Sequence, residues 1–167
     1  MELETPRLRL RWFRLSDLDA MAQVLGHPEV MRFSLSGPYD RAKTQRFLEG
    51  CQIAYEERRT GLYAVVVKET DAVIGYCGFY YQMVDYQEEV EIGYRLHPDY
   101  WSRGLATEAA AAIQDHGQRD FGYQRMISII EAENVASIRV AEKCGLSFEK
   151  NSSFKGIPVR IYAVTKG

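Results

Sequence analysis

The stretch that decides the fold is "EIGYRLHPDYWSRGLATEA", Glu91–Ala109. Its first part is predicted to be a strand, which Pro98 stops. Its second part passes through Gly104 into an alanine-rich helix predicted to end at Phe121, before Gly122. The start of a helix carries unpaired N–H groups and about half a positive charge, and Gly104 has no Cβ to hold a ligand away. The stretch therefore predicts an anion site, most naturally for a phosphate group.

Two well-known phosphate motifs do not occur in this stretch. It has neither G-x-x-x-x-G-K-[ST] nor G-x-G-x-x-G, so a P-loop and a dinucleotide fingerprint are both excluded. Arg103 adds a full positive charge, and the small residues Ala106 and Thr107 keep the surface open. An alternative stays open, in which Gly104 only serves the turn and the alanines form a close-packed helix face.

Outward from this stretch, strands and helices alternate without an internal repeat. Cations alternate with apolar residues over Arg7–Phe13, which predicts the first strand, and helices are predicted after Ser16 and over Asp40–Thr60. The other expected elements are strands over 62–69, 72–82, 88–97 and 125–133, a helix from Asn134 that ends at Gly145, and a hairpin over 146–154 and 157–164. The predicted order is βααβββαβαββ, a mixed α/β fold. Its strand-helix-strand unit from Glu88 to Glu133 should form a right-handed parallel crossover.

Length and composition limit the function classes. The 167 residues are 46% hydrophobic and 26% charged, which predicts one globular domain over 1–167. A net charge of -2 offers no broad basic field, so nucleic acid is not expected as a partner. No apolar run suits a signal peptide or a membrane span, which predicts a cytoplasmic protein with no membrane partner. The spacing of the Cys and His residues predicts neither disulfides nor a metal site.

Four segments carry a family resemblance that covers nearly the whole chain: "LETPRLRLR", "HPEVMRF", the stretch Glu91–Ala109 and "NVASIRVAEKCGL". Together they resemble the GNAT superfamily of N-acetyltransferases, specifically its RimJ/RimL-like branch of ribosomal-protein alanine N-acetyltransferases. The resemblance implies a mixed, mostly antiparallel sheet flanked by helices. It also implies that the strand ending at His97 and the strand starting near Arg125 splay apart around acetyl-CoA. The residues implied to bind this cosubstrate are Tyr94, Arg95, Leu96, Arg103, Gly104, Leu105, Ala106, Thr107 and Asn134.

The chemistry of acetyl transfer requires a base, because an alkylammonium cannot attack a thioester until it loses a proton. By resemblance, Glu91 is the first candidate, and Glu89, on the same face at period two, is the reserve. In the alternative, both are solvated charges at a strand edge. Backbone amides near Tyr94 and Arg95, which the family frees by a bulge, would stabilise the oxyanion. Gly93 is compatible with that bulge, although ordinary strand pairing is the alternative.

The departing thiolate needs a proton donor. Many family members place a tyrosine seven residues after the asparagine that corresponds to Asn134, but this chain has Ala141 there. The branch often has a serine three residues after the asparagine, which is Ser137 here. Ser137 is therefore predicted to donate a hydrogen bond or relay a proton through water, with simple helix capping as the alternative. Asn134 is expected to contact the cofactor and to cap the helix.

These features predict an acetyl-CoA-dependent N-acetyltransferase that binds both substrates before direct transfer. The leading acceptor is a protein or peptide N-terminal α-amine. A small-molecule amine (a polyamine, amino acid or antibiotic) is the alternative, and a non-catalytic acyl-CoA-binding or sensing module is an alternative of another class. A wide groove beside Arg32–Asp40 and Tyr80–Glu88 would favour a peptide, and a closed pocket a small amine. Either a monomer or a homodimer is compatible with the sequence.

Overall fold

The computed structural model describes residues 2–166. It confirms the predicted order of elements with one addition, a three-residue strand at the N-terminal end that pairs antiparallel with the first predicted strand. Three residues are too few to show an alternating pattern, so this strand was not predicted. The strands are β1 (Glu2–Glu4), β2 (Leu8–Trp12), β3 (Leu62–Val67), β4 (Val73–Val84), β5 (Gln87–Leu96), β6 (Arg125–Ile130), β7 (Ser147–Phe154) and β8 (Ile157–Thr165). The helices are α1 (Leu18–Leu25), α2 (Arg41–Arg58), α3 (Leu105–Phe121) and α4 (Val135–Lys143).

The eight strands form one sheet in the order β1-β2-β3-β4-β5-β6-β8-β7. Every neighbouring pair is antiparallel except β5 and β6, which are parallel and are connected through α3. The predicted mixed, mostly antiparallel sheet and its parallel crossover are therefore confirmed. Several strand bounds differ by one or two residues, and the largest difference is that β6 ends at Ile130 rather than Glu133. The chain turns there, and the N–H of Asn134 donates to the carbonyl of Glu131 at 2.9 Å.

The two faces of the sheet carry different helices. α1 and α2 cover one face through a core that includes Met21, Leu48 and Tyr76. On the other face α3 packs on β5 through Ile92 and Leu96. Because side chains alternate along a strand, the odd-numbered β5 residues 91, 93 and 95 point to the α1–α2 side. The candidate base therefore lies on the opposite face from α3.

A buried polar chain fixes α3 against the sheet. His116 is fully buried; its Nε2 lies 3.0 Å from the Tyr63 hydroxyl, and its Nδ1 lies 2.6 Å from Asp120 Oδ2. The Tyr63 hydroxyl also lies 2.8 Å from the hydroxyl of Thr60. Buried polar groups need such partners, and this chain provides them between α3 and β3. The C-terminal half of α3 is thus held against β3.

Two structural findings concern membranes and metals. Among residues 2–166, none of the helices is both long and apolar enough to pass through a bilayer. Within the same part of the chain, no three His, Cys, Asp or Glu side chains are grouped so that they could ligate a metal ion. The three cysteines are free thiols; Cys51 and Cys77 are buried and Cys144 is partly buried.

Candidate active site

The site forms where β5 and β6 separate. The only residues of these strands that pair are Glu91 and Ile127. Two residues further along β6, the N–H of Ile129 donates to Glu91 Oε2 at 3.0 Å rather than to a backbone carbonyl of β5. The carbonyl of Ile92 accepts from the Ser128 hydroxyl at 3.3 Å. The side chains of Glu91 and Ser128 thus form the hydrogen bonds that backbone groups would form in a regular ladder. Beyond this point, which we call the fork, the two strands diverge as predicted.

A cleft of about 1150 Å³ opens along this fork. It is bounded by the α1–α2 loop, the ends of β5 and β6, the first turns of α3 and α4, and the β7–β8 hairpin. The principal lining segments are 29–36, 91–96, 104–107, 128–131 and 133–137. Small-molecule pockets usually measure roughly 300–1000 Å³. The cleft is therefore large enough to admit more than one small ligand.

The first turn of α3 forms one end of the cleft. Gly104 precedes the helix with φ of +76°, in the left-handed region, and the first intrahelical bond runs from Glu108 N–H to its carbonyl at 3.0 Å. The N–H groups of Leu105, Ala106 and Thr107 therefore have no partner within the helix, and these three residues line the cleft. The turn offers the donors and the partial positive charge that a phosphate needs. It fits the pyrophosphate of acetyl-CoA.

Arg7, on the chain just before β2, holds this turn in place. Its Nη1 donates to the carbonyl of Arg103 at 2.9 Å, and its Nε donates to Glu108 Oε1 at 2.8 Å. On the other side, Trp101 Nε1 donates to the carbonyl of Leu96 at 2.7 Å. Arg7 was not predicted as a site residue, because its partners lie about a hundred residues away along the chain.

Two predicted cofactor residues lie differently from expectation. The side chain of Arg103 lies over the Tyr100 ring, 5.5 Å from its centroid, and Arg103 is not among the residues that line the cleft. The full positive charge expected from it is therefore directed at an aromatic face. The peptide N–H of Arg95 faces β4 and not the cleft, because the N–H of His97, two residues further on, donates to Ile74 of β4.

The predicted bulge at Gly93 is wrong. The pairing of β4 with β5 continues without a shift from Val84 and Gln87 to Gly75 and Leu96. Glycine is needed at position 93 for another reason. A Cβ there would lie only 2.7 Å from a carbon of the Tyr80 ring. Gly93 thus makes room for an aromatic side chain on the α1–α2 face.

The divergence of β6, rather than a bulge, exposes the strand amides. The carbonyl of Ile92 faces β6, where it accepts from Ser128, and the N–H of His97 faces β4, where it donates to Ile74. Peptide groups alternate in direction along a strand. Even-numbered residues of β5 therefore direct their N–H groups toward the gap, and these include Tyr94 and Leu96 but not Arg95.

Glu91 lies at the fork, inside the cleft. Its Oε2 accepts from Ile129 N–H at 3.0 Å, and its Oε1 accepts from Gln82 Nε2 at 3.3 Å. Burial raises the pKa of this carboxyl to about 7, against the opposing effects of the two hydrogen bonds and of the charges on Arg95 and Lys155. A carboxyl with this pKa is partly ionised near neutral pH and can accept a proton. Gln82 was not identified from the sequence.

Glu89 lies in a different environment. Its side chain is 6% exposed, and its Oε2 lies 2.8 Å from Arg125 Nη2. Arg125 also pairs with Glu149 at 2.8 Å. Glu89 is not a solvated charge, and it does not line the cleft. The structure therefore gives Glu89 a place in a buried ion pair and leaves Glu91 as the carboxylate at the fork.

The first turn of α4 forms the opposite wall. Asn134 Oδ1 accepts from Ser137 N–H at 3.3 Å, which confirms the predicted cap. Both residues line the cleft. The hydroxyl of Tyr94 reaches across from β5 and donates to the Ser137 carbonyl at 2.9 Å, and burial raises the pKa of Tyr94. Ala141 is buried in the core. Only the backbone amide of Tyr94 was predicted to contribute to the site, so the hydrogen bond from its hydroxyl is a further feature that was not predicted.

The α1–α2 face supplies the remaining wall. Arg95 Nη1 donates to the Val30 carbonyl at 2.8 Å, and its Nε donates to the Tyr76 hydroxyl at 3.2 Å. Tyr80, whose hydroxyl donates to that of Tyr76 at 2.8 Å, also lines the cleft. Tyr86 lies at the β4–β5 turn with φ of +67° and is fully exposed. Of the groove segments predicted around 32–40 and 80–88, the cleft uses 32–36, 39, 80 and 82.

A helix N-terminus open to a phosphate, beside strands that part around a carboxylate, fits an acyl-CoA-dependent transferase. The sequence profile of the acetyltransferase (GNAT) domain matches residues 7–147. The chain belongs to the GNAT acetyltransferase family, as the sequence resemblance implied, and is an acetyl-CoA-dependent N-acetyltransferase.

Individual relatives agree with this assignment. The chain is 34% identical over 150 residues to an uncharacterized N-acetyltransferase, p20, of Bacillus licheniformis, covering 89% of this chain and 82% of the relative. The crystal structure of a GNAT-family acetyltransferase from Bacillus anthracis has the same fold, with a TM-score of 0.83 at 24% identity over 99% and 98% of the two chains. RimL, a ribosomal L7/L12 α-N-protein acetyltransferase solved with coenzyme A, superposes with a TM-score of 0.82 at 18% identity over 99% and 98%.

Proposed function

We propose that this N-acetyltransferase acetylates the α-amine of a peptide N-terminus, with Glu91 removing the proton of the acceptor ammonium. The observation that carries the proposal is the position of Glu91: its carboxylate lies in the cleft, where β5 and β6 part, with a pKa of about 7. A general base works best when its pKa is near the working pH. The only other glutamate predicted for this role, Glu89, is bound to Arg125.

Acetyl-CoA supplies a thioester, which is an acyl group activated toward amines. The residues that would hold it are the first turn of α3 at Leu105–Thr107, for the pyrophosphate, and Asn134 at the start of α4. The N–H groups of Tyr94 and Leu96, which point into the gap, would hold the arm between them. All of these lie on two helix starts and one strand, so the site is carried by rigid elements.

Glu91 is held ready for proton transfer. The bonds from Ile129 N–H and Gln82 fix the orientation of its carboxylate. Both are neutral donors that lower the pKa of the carboxyl, but burial has the larger effect and keeps the pKa raised. Ser137, which lines the cleft at the first turn of α4, would donate a hydrogen bond to the leaving thiolate. Tyr94 donates a hydrogen bond to the carbonyl of the same residue.

The shape of the acceptor end favours an extended substrate. It runs from the α1–α2 loop at 29–36 across Glu91 to the β7–β8 hairpin at Phe154 and Lys155. Leu35 in the loop is 58% exposed at the rim. An open trough with an apolar rim suits a peptide chain, whereas a small amine is usually enclosed on most sides. RimL, which shares this fold, acts on a protein α-amine.

The test is release of free thiol from acetyl-CoA with a panel of acceptors. The panel contains unmodified peptides, the same peptides with a blocked α-amine, free amino acids, polyamines and aminoglycosides. We expect saturable thiol release with free peptides, none with blocked peptides, and acetylation of the α-amine by mass spectrometry. Release with a small amine but with no peptide would overturn the proposed acceptor.

A further inference from the structure

The cleft contains an arginine that has no carboxylate partner. Arg95 is partly buried, and its two hydrogen-bond acceptors, the carbonyl of Val30 and the hydroxyl of Tyr76, are both neutral. Among residues 2–166, Arg9, Arg11 and Arg125 of the sheet pair with carboxylates, but no ion pair involves Arg95. A guanidinium carries five N–H donors, and only two are used here. A partly buried cation without a counter-charge is costly unless a ligand supplies one.

The position of Arg95 relative to Glu91 defines the acceptor path. Both lie on the same face of β5, four residues apart, which separates their Cα atoms by about 13 Å at the usual rise of a strand. Between them, the Tyr80 ring covers Gly93. Glu91 and Arg95 are therefore the two ends of a trough with an aromatic floor.

Two further cations line the part of the cleft where the acceptor would bind. Arg32 on the α1–α2 loop and Lys155 at the β7–β8 turn both line it, and within the described residues neither forms an ion pair. Lys155 is held by a tight turn, with φ of +50° followed by +80° at Gly156, and its charge reaches Glu91. The acidic residues that line the cleft besides Glu91 are Glu29, Glu131 and Glu133. Glu29 is exposed at the rim, and Glu131 and Glu133 lie between β6 and α4. On the side formed by β5 and the α1–α2 loop, Arg95 and Arg32 thus outnumber Glu29, the acidic lining residue there apart from Glu91.

We propose that Arg95, assisted by Arg32 and Lys155, binds a carboxylate of the acceptor, so that the enzyme prefers peptides with an acidic side chain at the second or third residue. The inference rests on the proposed function, in which the acceptor amine lies at Glu91. An extended peptide advances about 3.4 Å per residue, so an acidic side chain one or two residues from the amine can span the trough. Polyamines would place a second ammonium beside these cations.

The α-carboxylate of a free amino acid offers the same chemistry at a shorter distance. Its carboxylate carbon is bonded directly to the carbon that bears the amine, so the amine and the carboxylate are too close together to occupy both ends of the trough. We therefore expect acidic peptides to be better acceptors than free amino acids. Both kinds of acceptor belong in the test, because both carry a carboxylate near the amine.

The experiment compares kcat/KM for pairs of peptides that differ only by Asp or Glu against Asn or Gln at position two or three. For the wild-type enzyme we expect a preference of roughly tenfold or more for the acid at one of these positions, as for one charge-assisted hydrogen bond. Arg95→Gln should reduce this ratio to near one, and Arg95→Lys should retain part of it. Lys155→Gln and Arg32→Gln should each reduce it by a smaller factor.

The ratio separates recognition from a structural role. Arg95 also anchors the loop at Val30, and losing that anchor alone would lower the rate for both peptides of a pair and leave their ratio unchanged. A wild-type ratio near one, or an unchanged ratio in Arg95→Gln, would overturn the inference while acetylation of peptides persisted. If free acidic amino acids were better acceptors than any peptide, the peptide assignment would be overturned. Acetylation of no peptide at all would instead remove the proposed function.

Discussion

Glu91 Oε2 accepts a hydrogen bond of 3.0 Å from the backbone N–H of Ile129, across the point where β5 and β6 separate. In an uninterrupted parallel pair that N–H would bind a carbonyl of the neighbouring strand. The carboxylate of the candidate base therefore replaces a backbone carbonyl as the acceptor for this N–H. The same hydrogen bond marks the point where the strands separate and fixes the position of the carboxylate. A substitution at Glu91 tests both its proton transfer and its effect on stability.

The first prediction concerns the rate. Glu91→Gln should lower kcat/KM for acetyl transfer by roughly 10²-fold or more, because a positioned general base contributes about that much. In the wild-type enzyme, kcat/KM should rise with pH through about 7 as Glu91 loses its proton, and the variant should lack this step. Thiol release measured from pH 5.5 to pH 9 checks it. The affinity for CoA should stay nearly unchanged, and unaltered kinetics would remove Glu91 from the mechanism.

The second prediction concerns stability and pH. The pKa of Glu91 is raised from 4.5 to about 7 in the folded protein, so its contribution is favourable below pH 4.5 and is lost as the pH rises through 7. Glu91→Gln avoids this loss and should be more stable than the wild type at pH 8, by up to about 3 kcal/mol. At pH 4.5 the gain should largely vanish. Urea unfolding of both proteins at the two pH values measures the difference, and a gain independent of pH would refute the assigned cause.

The third prediction concerns the ion pair of Glu89. Arg125→Ala leaves this carboxylate, 6% exposed, without its cation, and should lower the free energy of unfolding by about 3 kcal/mol. Glu149→Gln is the matched control. It removes the more exposed partner of Arg125 and should cost less than about 1 kcal/mol. Equal losses in the two variants, measured by urea unfolding, would show that Glu89 does not depend on Arg125.

The fourth prediction concerns the phosphate cradle. Gly104→Glu places a bulky anion at the start of α3 and should weaken CoA binding at least tenfold by calorimetry. Gly122→Glu is the control, because Gly122 follows the same helix with nearly the same backbone, φ of +68° against +76°, and has open space around it. Both variants carry the strain of a left-handed residue, so only Gly104→Glu should lose CoA affinity. Equal affinities would refute the cradle.

Local signals in the sequence were sufficient for most of the fold. The helix α3 ends at Phe121 before a left-handed Gly122, and Asn134 caps α4, both as predicted. These features depend on neighbouring residues only. The strand β1 was missed because its three residues are specified by pairing with β2. The bulge at Gly93 was wrongly predicted, because a glycine in a strand does not reveal whether it serves a bulge or the ring of Tyr80.

The site was predictable in part. Glu91 and the start of α3 follow from the stretch at 91–109 and its resemblance to a family, and both line the cleft. Their partners Gln82 and Ile129, and the unpaired guanidinium of Arg95, depend on contacts between distant strands and on the α1–α2 loop. No local pattern marks such contacts. The environment of Glu89 was unpredictable for the same reason, since Arg125 lies 36 residues away.

The fifth prediction separates the two hydroxyl groups at the leaving-group wall. Ser137→Ala removes a hydroxyl that lines the cleft while the cap from Asn134 to its N–H remains, so it should lower kcat about tenfold with little change in KM for acetyl-CoA. Tyr94→Phe removes the bond to the Ser137 carbonyl. It should destabilise the fold by about 1 kcal/mol and should raise KM for acetyl-CoA more than it lowers kcat. Steady-state kinetics on both variants decide the roles. A large fall in kcat for Tyr94→Phe with none for Ser137→Ala would identify the tyrosine, rather than the serine, as the group that serves the departing thiolate.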